Sequence, residues 1–384
     1  MAVLFSEWPP SSLNIPFLLI NNPTHNTTMS KLFDPIQFGA LELPNRIVMA
    51  PLTRARAIHN RVPNDLMREY YVQRASAGLI ISEATSISPI GVGYANTPGI
   101  WSQEQIEGWK NIVDGVHAAG GRIVLQLWHV GRISHSSFHG GELPVAPSAV
   151  PAIGHVSLIR PMVNYETPRA LEHAEVKQTI EDYRQAALNA KAAGFDGVEL
   201  HGANGYLIDQ FLRDSSNLRT DEYGGSIGNR ARFLLEVTDA VISVWGKDRV
   251  GVHLSPRNEE GHTLQDSNPE AVFTYVAEQL GKREIAFIFV RESQEEPRIA
   301  PAMKRAFGGP LIANQQLDKE TAERLIESGE ADAVSWGVQF ISNPDLPKRF
   351  EINASLNTPN PATFYGNGPE GYVDYPSLEL AATR

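Results

Sequence analysis

The chain contains no cysteine. Disulfides, thiolate nucleophiles and cysteine-ligated zinc or iron–sulfur sites are therefore excluded, and a reducing cytoplasm is the expected compartment. No apolar run is long enough to cross a bilayer. Cations are the scarcer charge, 33 Lys and Arg against 44 Asp and Glu, for a net charge of −11. An acidic chain without basic clusters suits neither nucleic acid nor an anionic membrane as partner. A Gly-rich dinucleotide fingerprint is also missing. Gly91-Val92-Gly93 lacks the third glycine and follows a Ser/Pro loop. The first 28 residues offer one short apolar stretch, Ile15 to Ile20, which a proline interrupts and no Lys or Arg precedes. It fails as a secretory signal. Residues 1–28 are read as a disordered extension, with the folded part, 29–384, beginning near Met29.

What is present points to one α/β domain. Eight short apolar segments recur: 45–51, 78–84, 121–128, 197–201, 249–255, 285–291, 310–314 and 333–337. Near-continuous Val/Ile/Leu runs fit parallel strands covered on both faces. Helical patterns lie between them. Glu172 to Ala193 stops at Gly194, and Asp318 to Ser328 starts on an N-cap aspartate and stops at Gly329. Ser102 to Ala119 and Ser226 to Trp245 read the same way. Eight such units predict a single-domain (β/α)8 TIM barrel. Residues 130–171, rich in Gly, Pro, Ser and His, form an excursion after the third strand and are read as a cap or lid. The tail, 352–384, carries Phe364, Tyr365, Tyr372 and Tyr375 and is read as docked on the barrel.

In such a barrel the chemistry collects at the C-terminal ends of the strands. Those ends carry Thr53, Gln126, Trp128, His201, Asn204 and His253: mostly neutral hydrogen-bonding groups with few carboxylates. They suit a neutral heteroaromatic ring better than a metal or a glycoside. Gly-Val-Glu-Leu-His-Gly-Ala-Asn-Gly-Tyr, 197–206, stands out. An imidazole, an amide and a phenol follow one strand, a set able to polarise a carbonyl or nitro oxygen and protonate a neighbouring carbon. His135 and His139 lie four apart, but their segment is Gly/Ser-rich and reads as a solvated lid, so no metal is expected. Asp221-Glu222, before Tyr223-Gly224-Gly225, reads as turn and capping chemistry. No lysine lies in the eight strand segments, which counts against a Schiff-base lyase.

Several motifs in order make the resemblance specific. They are Asn45-Arg46-Ile47-Val48-Met49-Ala50-Pro51-Leu52-Thr53-Arg54, Gln126-Leu127-Trp128-His129-Val130-Gly131-Arg132, Pro144-Val145-Ala146-Pro147-Ser148, His201-Gly202-Ala203-Asn204-Gly205-Tyr206, Asp221 to Ser226 and Thr363-Phe364-Tyr365. From about Lys31 to Leu378 the chain resembles the Old Yellow Enzyme family, in its N-ethylmaleimide and xenobiotic reductase branch. The resemblance implies FMN at the barrel mouth. Thr53 would meet the flavin O4 and Gln126 the pyrimidine edge, with Pro51, Leu52 and Ala84 lining the ring. Asn314, Gln315, Gly337 and Val338 fall at the phosphate end. His201 and Asn204 would hold the substrate oxygen and Tyr206 would donate the proton. Tyr94, Trp128 and Tyr365 would wall the site. It implies a ping-pong reduction of activated alkenes, meaning α,β-unsaturated carbonyls and nitroalkenes, by NADPH or NADH through one shared site. Reduction of nitrate esters or nitroaromatics at the same site is the alternative. Oligomeric state stays open. Two positions depart from the usual pattern: His253 replaces an arginine facing the flavin N1–C2 edge, and Val338 a basic residue at the phosphate. Ala313-Asn314-Gln315-Gln316 stands where a glycine-containing turn is usual. These departures motivate a further alternative, a weakened flavin-binding protein. Arg291 is a candidate replacement cation.

Overall fold

The computed structural model describes residues 30–157, 159, 161–257 and 264–378. The proposed extension, 1–28, lies outside these residues. Eight parallel strands close into a barrel: β1 (Ile47–Met49), β2 (Leu79–Ile81), β3 (Ile123–Trp128), β4 (Gly197–Gly202), β5 (Val250–Leu254), β6 (Phe287–Arg291), β7 (Leu311–Asn314) and β8 (Ala333–Trp336). Hydrogen bonding runs β2-β1-β8-β7-β6-β5-β4-β3, and a β2–β3 pairing completes the ring. Each strand falls inside an apolar run of the sequence except β4, which runs one residue past its run to Gly202. Most observed strands are shorter than their runs, whose outer residues lie in the loops at one or both ends of the barrel.

The helices start and stop where their end signals stand. Gln103–Ala118 opens on a capping box of Ser102 and Gln105. His173–Ala192 opens on one formed by Glu172 and Glu175, and the chain leaves it through Gly194 in the left-handed region, φ 89°. Ile227–Trp245 is capped by Ser226 and Lys319–Glu327 by Asp318. Among the described residues, no helix is long and apolar enough to cross a membrane.

Strand alternation divides the apolar residues into two cores. Outward residues such as Val198, Leu200, Val252 and Leu254 meet the helices. Inward residues Val48, Leu79, Val124, Phe287, Phe289 and Ile312 fill the lower lumen. A hairpin, Ile36–Phe38 with Leu41–Leu43, plugs the bottom with Phe38, Leu41 and Leu43. Burying Phe287 and Phe289 stabilises the fold by roughly 2–3 kcal/mol each. Gly251 makes this filling possible, since a Cβ there would lie 2.2 Å from the Phe287 ring.

Residues 130–171 arch over the mouth. Their Val130, Ile133, Ala152, Val156 and Tyr165 pack on Ala84, Tyr94 and Trp128. The Glu166 carboxylate accepts from the Ser136 N–H and hydroxyl and ties the arch to itself. The tail is held through its backbone. Arg56 donates to the carbonyls of Thr363, Phe364, Gly368 and Glu370. Arg54 donates to Phe364 and Gly371, and Arg74 to Tyr372. Tyr372 stacks on Tyr70 at 4.2 Å.

Candidate active site

The upper lumen is polar. Inward alternation on β4 places Glu199 and His201 inside, with Glu199 opposite Gln126 of β3 and His201 opposite His253 of β5. The His201 ring stacks on His253 at 5.1 Å and on Trp128 at 6.4 Å. Burial, then the Arg291 charge, pushes His201 down to about 3, so the imidazole is neutral near pH 7. Its Nδ1 accepts the Ala203 N–H at 3.4 Å, which places the proton on Nε2 and makes that nitrogen a donor.

Asn204 follows β4 with φ 57°, a conformation asparagine tolerates. Its N–H donates to Ser255 Oγ at 2.9 Å. Tyr206 stands edge-on to Trp128 at 5.0 Å and to His201 at 4.9 Å. Its hydroxyl shares a 2.9 Å hydrogen bond with that of Tyr94. Burial raises both phenols above their ordinary range, so both are protonated at neutral pH.

Below them lies a neutral trio. Gln126 Nε2 donates to Glu199 Oε2 at 2.8 Å and lies 3.3 Å from His253 Nδ1. An amide nitrogen only donates, so His253 Nδ1 accepts and its proton sits on Nε2. Burial, then His201 and Arg291, holds His253 well below the usual imidazole range. The buried His253 Nε2 and Glu199 Oε1 have no hydrogen-bond partner among the described residues. Burial raises the Glu199 carboxyl to about 8, and the Gln126 bond only partly opposes it.

The other candidate residues ring this centre. Pro51, Leu52 and Thr53 are half-buried beyond β1, and Ala84 is buried beyond β2. Gly337 follows β8 next to Leu52, whose Cδ2 would lie 3.0 Å from a Cβ at 337. Gln315 and Gln316 hold φ of 108° and 51° after β7, so the turn keeps a left-handed backbone without glycine. Asn314 spends its side-chain NH2 on Ser335, at 3.0 and 3.2 Å. Val338 is 45% exposed at the rim. Tyr365 is 52% exposed on the tail, near enough to Tyr94 and Tyr206 to influence their ionisation. Arg291 reaches both Asn204 and Gln315, at 2.9 Å each.

Three features had no explicit reading in the sequence. Glu199 faces the lumen two residues before His201, a place that strand alternation alone assigns to it. Glu83 directly precedes Ala84 and accepts the Arg54 N–H and the Tyr71 hydroxyl. The tail arginines left no signal, because they bind main-chain carbonyls. Among the described residues, no three His, Asp or Glu side chains converge on a metal-sized centre. His139 bonds Ser134 Oγ, and His135 accepts the Ser137 N–H. Asp221 pairs with Arg219 and accepts the Tyr223 N–H, while Glu222 pairs with His173.

The chain is similar to known proteins over most of its length. Residues 31–357 match the NADH:flavin oxidoreductase / NADH oxidase family. The 12-oxophytodienoate reductase 1 of Oryza sativa subsp. japonica is 46% identical over 363 residues, covering 91% of this chain and 93% of the relative. The structure of morphinone reductase in complex with tetrahydroNAD shares 50% identity at a TM-score of 0.88, covering 92% of this chain and 99% of the other. The old yellow enzyme homologue from Zymomonas mobilis shares 49% at the same TM-score, covering 91% and 100%. The chain belongs to the NADH:flavin oxidoreductase family, as an oxidoreductase of the Old Yellow Enzyme type that uses FMN and a nicotinamide hydride donor to reduce C=C bonds.

Proposed function

From that membership we propose that this flavin oxidoreductase reduces the activated C=C bond of α,β-unsaturated carbonyls and nitroalkenes, with NADPH or NADH as donor. The observation that carries the reading is the convergence of His201, Asn204 and Tyr206 at one end of β4, beside a neutral, hydrogen-bonding lumen. The residues suit FMN. Gln126 and His253 offer an amide and a buried Nε2–H to a heterocycle edge, Thr53 offers a hydroxyl, and Pro51, Leu52 and Ala84 offer apolar surface. The left-handed turn at Gln315-Gln316 and the close-packed Gly337 offer backbone N–H groups for the phosphate, with Asn314 and Val338 flanking them. FMN held by these residues would supply hydride transfer between the nicotinamide and the β-carbon of the alkene.

The protein supplies the rest. His201 Nε2–H and the Asn204 amide donate to the activating oxygen and draw electron density from the β-carbon. A neutral imidazole donates there without passing on its own proton. The Tyr206 phenol, protonated at neutral pH, gives its proton to the α-carbon. Tyr94 bonds the Tyr206 oxygen and holds it in place, and Trp128 and Tyr365 wall the substrate. The barrel, the arch at 130–171 and the tail at 352–384 act as one FMN-binding unit.

Replacing Tyr206 with Phe tests this. Stopped-flow oxidation of the reduced enzyme by 2-cyclohexenone should slow roughly 10²–10⁴-fold, as for loss of a positioned general acid. Reduction by NADPH should barely change. Equal slowing of both half-reactions would refute the proton-donor role.

A further inference from the structure

Arg291 ends β6 and bridges two loops of the site. Its Nη1 donates to Asn204 Oδ1 at 2.9 Å, and its Nε donates to Gln315 Oε1 at 2.9 Å. These residues lie 87 and 24 positions away in sequence, so the barrel alone brings them together. A guanidinium carries only donors, so the Asn204 atom facing it must be the carbonyl oxygen. Turning the amide over would press an NH2 group against a cation. The backbone gives Asn204 a second constraint through its bond to Ser255 Oγ.

We infer that Arg291 is a positioning residue that commits the Asn204 amide to donating. With its oxygen taken by Arg291, Asn204 can offer the substrate only Nδ2–H. His201 is fixed in the same sense, because its Nδ1 accepts the Ala203 N–H. The two side chains become a pair of donors for one oxygen, and neither presents an acceptor that would repel it. Asn204 alone could present either face at similar cost, and half of its orientations would disfavour an oxyanion. Arg291 also ties this donor pair to the Gln315 turn, so the substrate anchor and the phosphate end share one side chain. The inference rests on the reading of His201 and Asn204 as the oxygen anchor.

The test is a spectrophotometric titration of the FMN-loaded enzyme with 4-nitrophenol, whose phenolate is an oxyanion probe. It compares the parent with Arg291→Met, Arg291→Lys, Asn204→Ala and the Arg291→Met/Asn204→Ala double variant. Arg291→Met should weaken binding roughly tenfold, the size of one charge-assisted hydrogen bond. Arg291→Lys keeps a cation and a donor for the Asn204 oxygen but not the second contact to Gln315, and should lose less than Arg291→Met. In the Asn204→Ala background, Arg291→Met should add less than about twofold, because the two residues act as one unit. Unchanged binding in Arg291→Met, or the same loss in both backgrounds, would overturn the inference while leaving Asn204 as an anchor. Unchanged binding in Asn204→Ala would overturn the anchor reading and the inference together. If Arg291→Met does not fold, the lysine variant decides: binding as weak as that of Asn204→Ala overturns the role.

Discussion

Two buried carboxyl groups of this barrel sit in differently furnished pockets. Glu83, beside the docked tail, accepts the Arg54 N–H and the Tyr71 hydroxyl and feels the Arg54 guanidinium. Glu199, in the lumen, has one donor, Gln126, and a bare second oxygen among the described residues. Burial raises both, Glu83 to about 7 and Glu199 to about 8. The tail region is equipped to carry charge, since arginines, carbonyls and aromatic faces surround it. The lumen is equipped to hold a proton and stay neutral, which suits a site that binds an uncharged ring. The same residue type thus sits among structural ties in one place and, on the proposed reading, in a reaction chamber in the other.

The largest effect that would sharpen this contrast is a pH dependence. The folded Glu199 holds a proton that the unfolded chain releases at its ordinary 4.5. Its contribution to stability is full below about 4.5 and is lost as pH rises through about 8. Glu199→Gln should remove this loss, worth roughly 3–5 kcal/mol across that window. Urea unfolding at several pH values measures it, and parallel curves for parent and variant would refute a protonated lumen. Glu83 has the same sign over the narrower window from 4.5 to about 7.

The next effect strikes the other region. Arg56→Met removes the guanidinium that serves four tail carbonyls and the Arg54 carbonyl. Stability should fall by roughly 3 kcal/mol, and protease should cut first within 361–376. A variant cleaved no faster than the parent would show that Arg54, Arg74 and the Tyr70–Tyr372 stack hold the tail without Arg56. The smallest effect would blur the contrast. His253→Arg gives Glu199 the kind of neighbour that Glu83 has in Arg54. Glu199 should then ionise more readily, and the added charge should raise the flavin potential. Dye equilibration measures it, and an unchanged or lower potential would argue against a flavin edge at position 253.

Much of this was legible in the sequence. The eight apolar runs mark the eight strands because parallel strands are covered on both faces. The helix ends follow their serine, aspartate and glycine signals because those residues satisfy orphan backbone groups. His201, Asn204 and Tyr206 could be read because they lie within six residues on one strand end. The Gln126–Glu199 pair could not, since the partners are 73 residues apart and strand register sets their meeting. Arg291 could be named as a spare cation, but its grip on Asn204 depends on barrel closure. The arginine clamp was hidden for another reason: its targets are carbonyl oxygens, which every residue carries.

A clamp that reads main chain places little demand on the side chains it grips. The exposed positions of the segment from Thr363 to Tyr372, Tyr365 and Glu370 among them, can therefore exchange residues and keep the anchorage, whereas Gly371 and the buried Tyr372 cannot. Position 365, exposed on that segment and close to the phenols of the site, can be altered without first solving a folding problem. On the proposed reading, the tail would be an interchangeable wall on a fixed mount, a place where substrate preference could drift while the lumen stays the same.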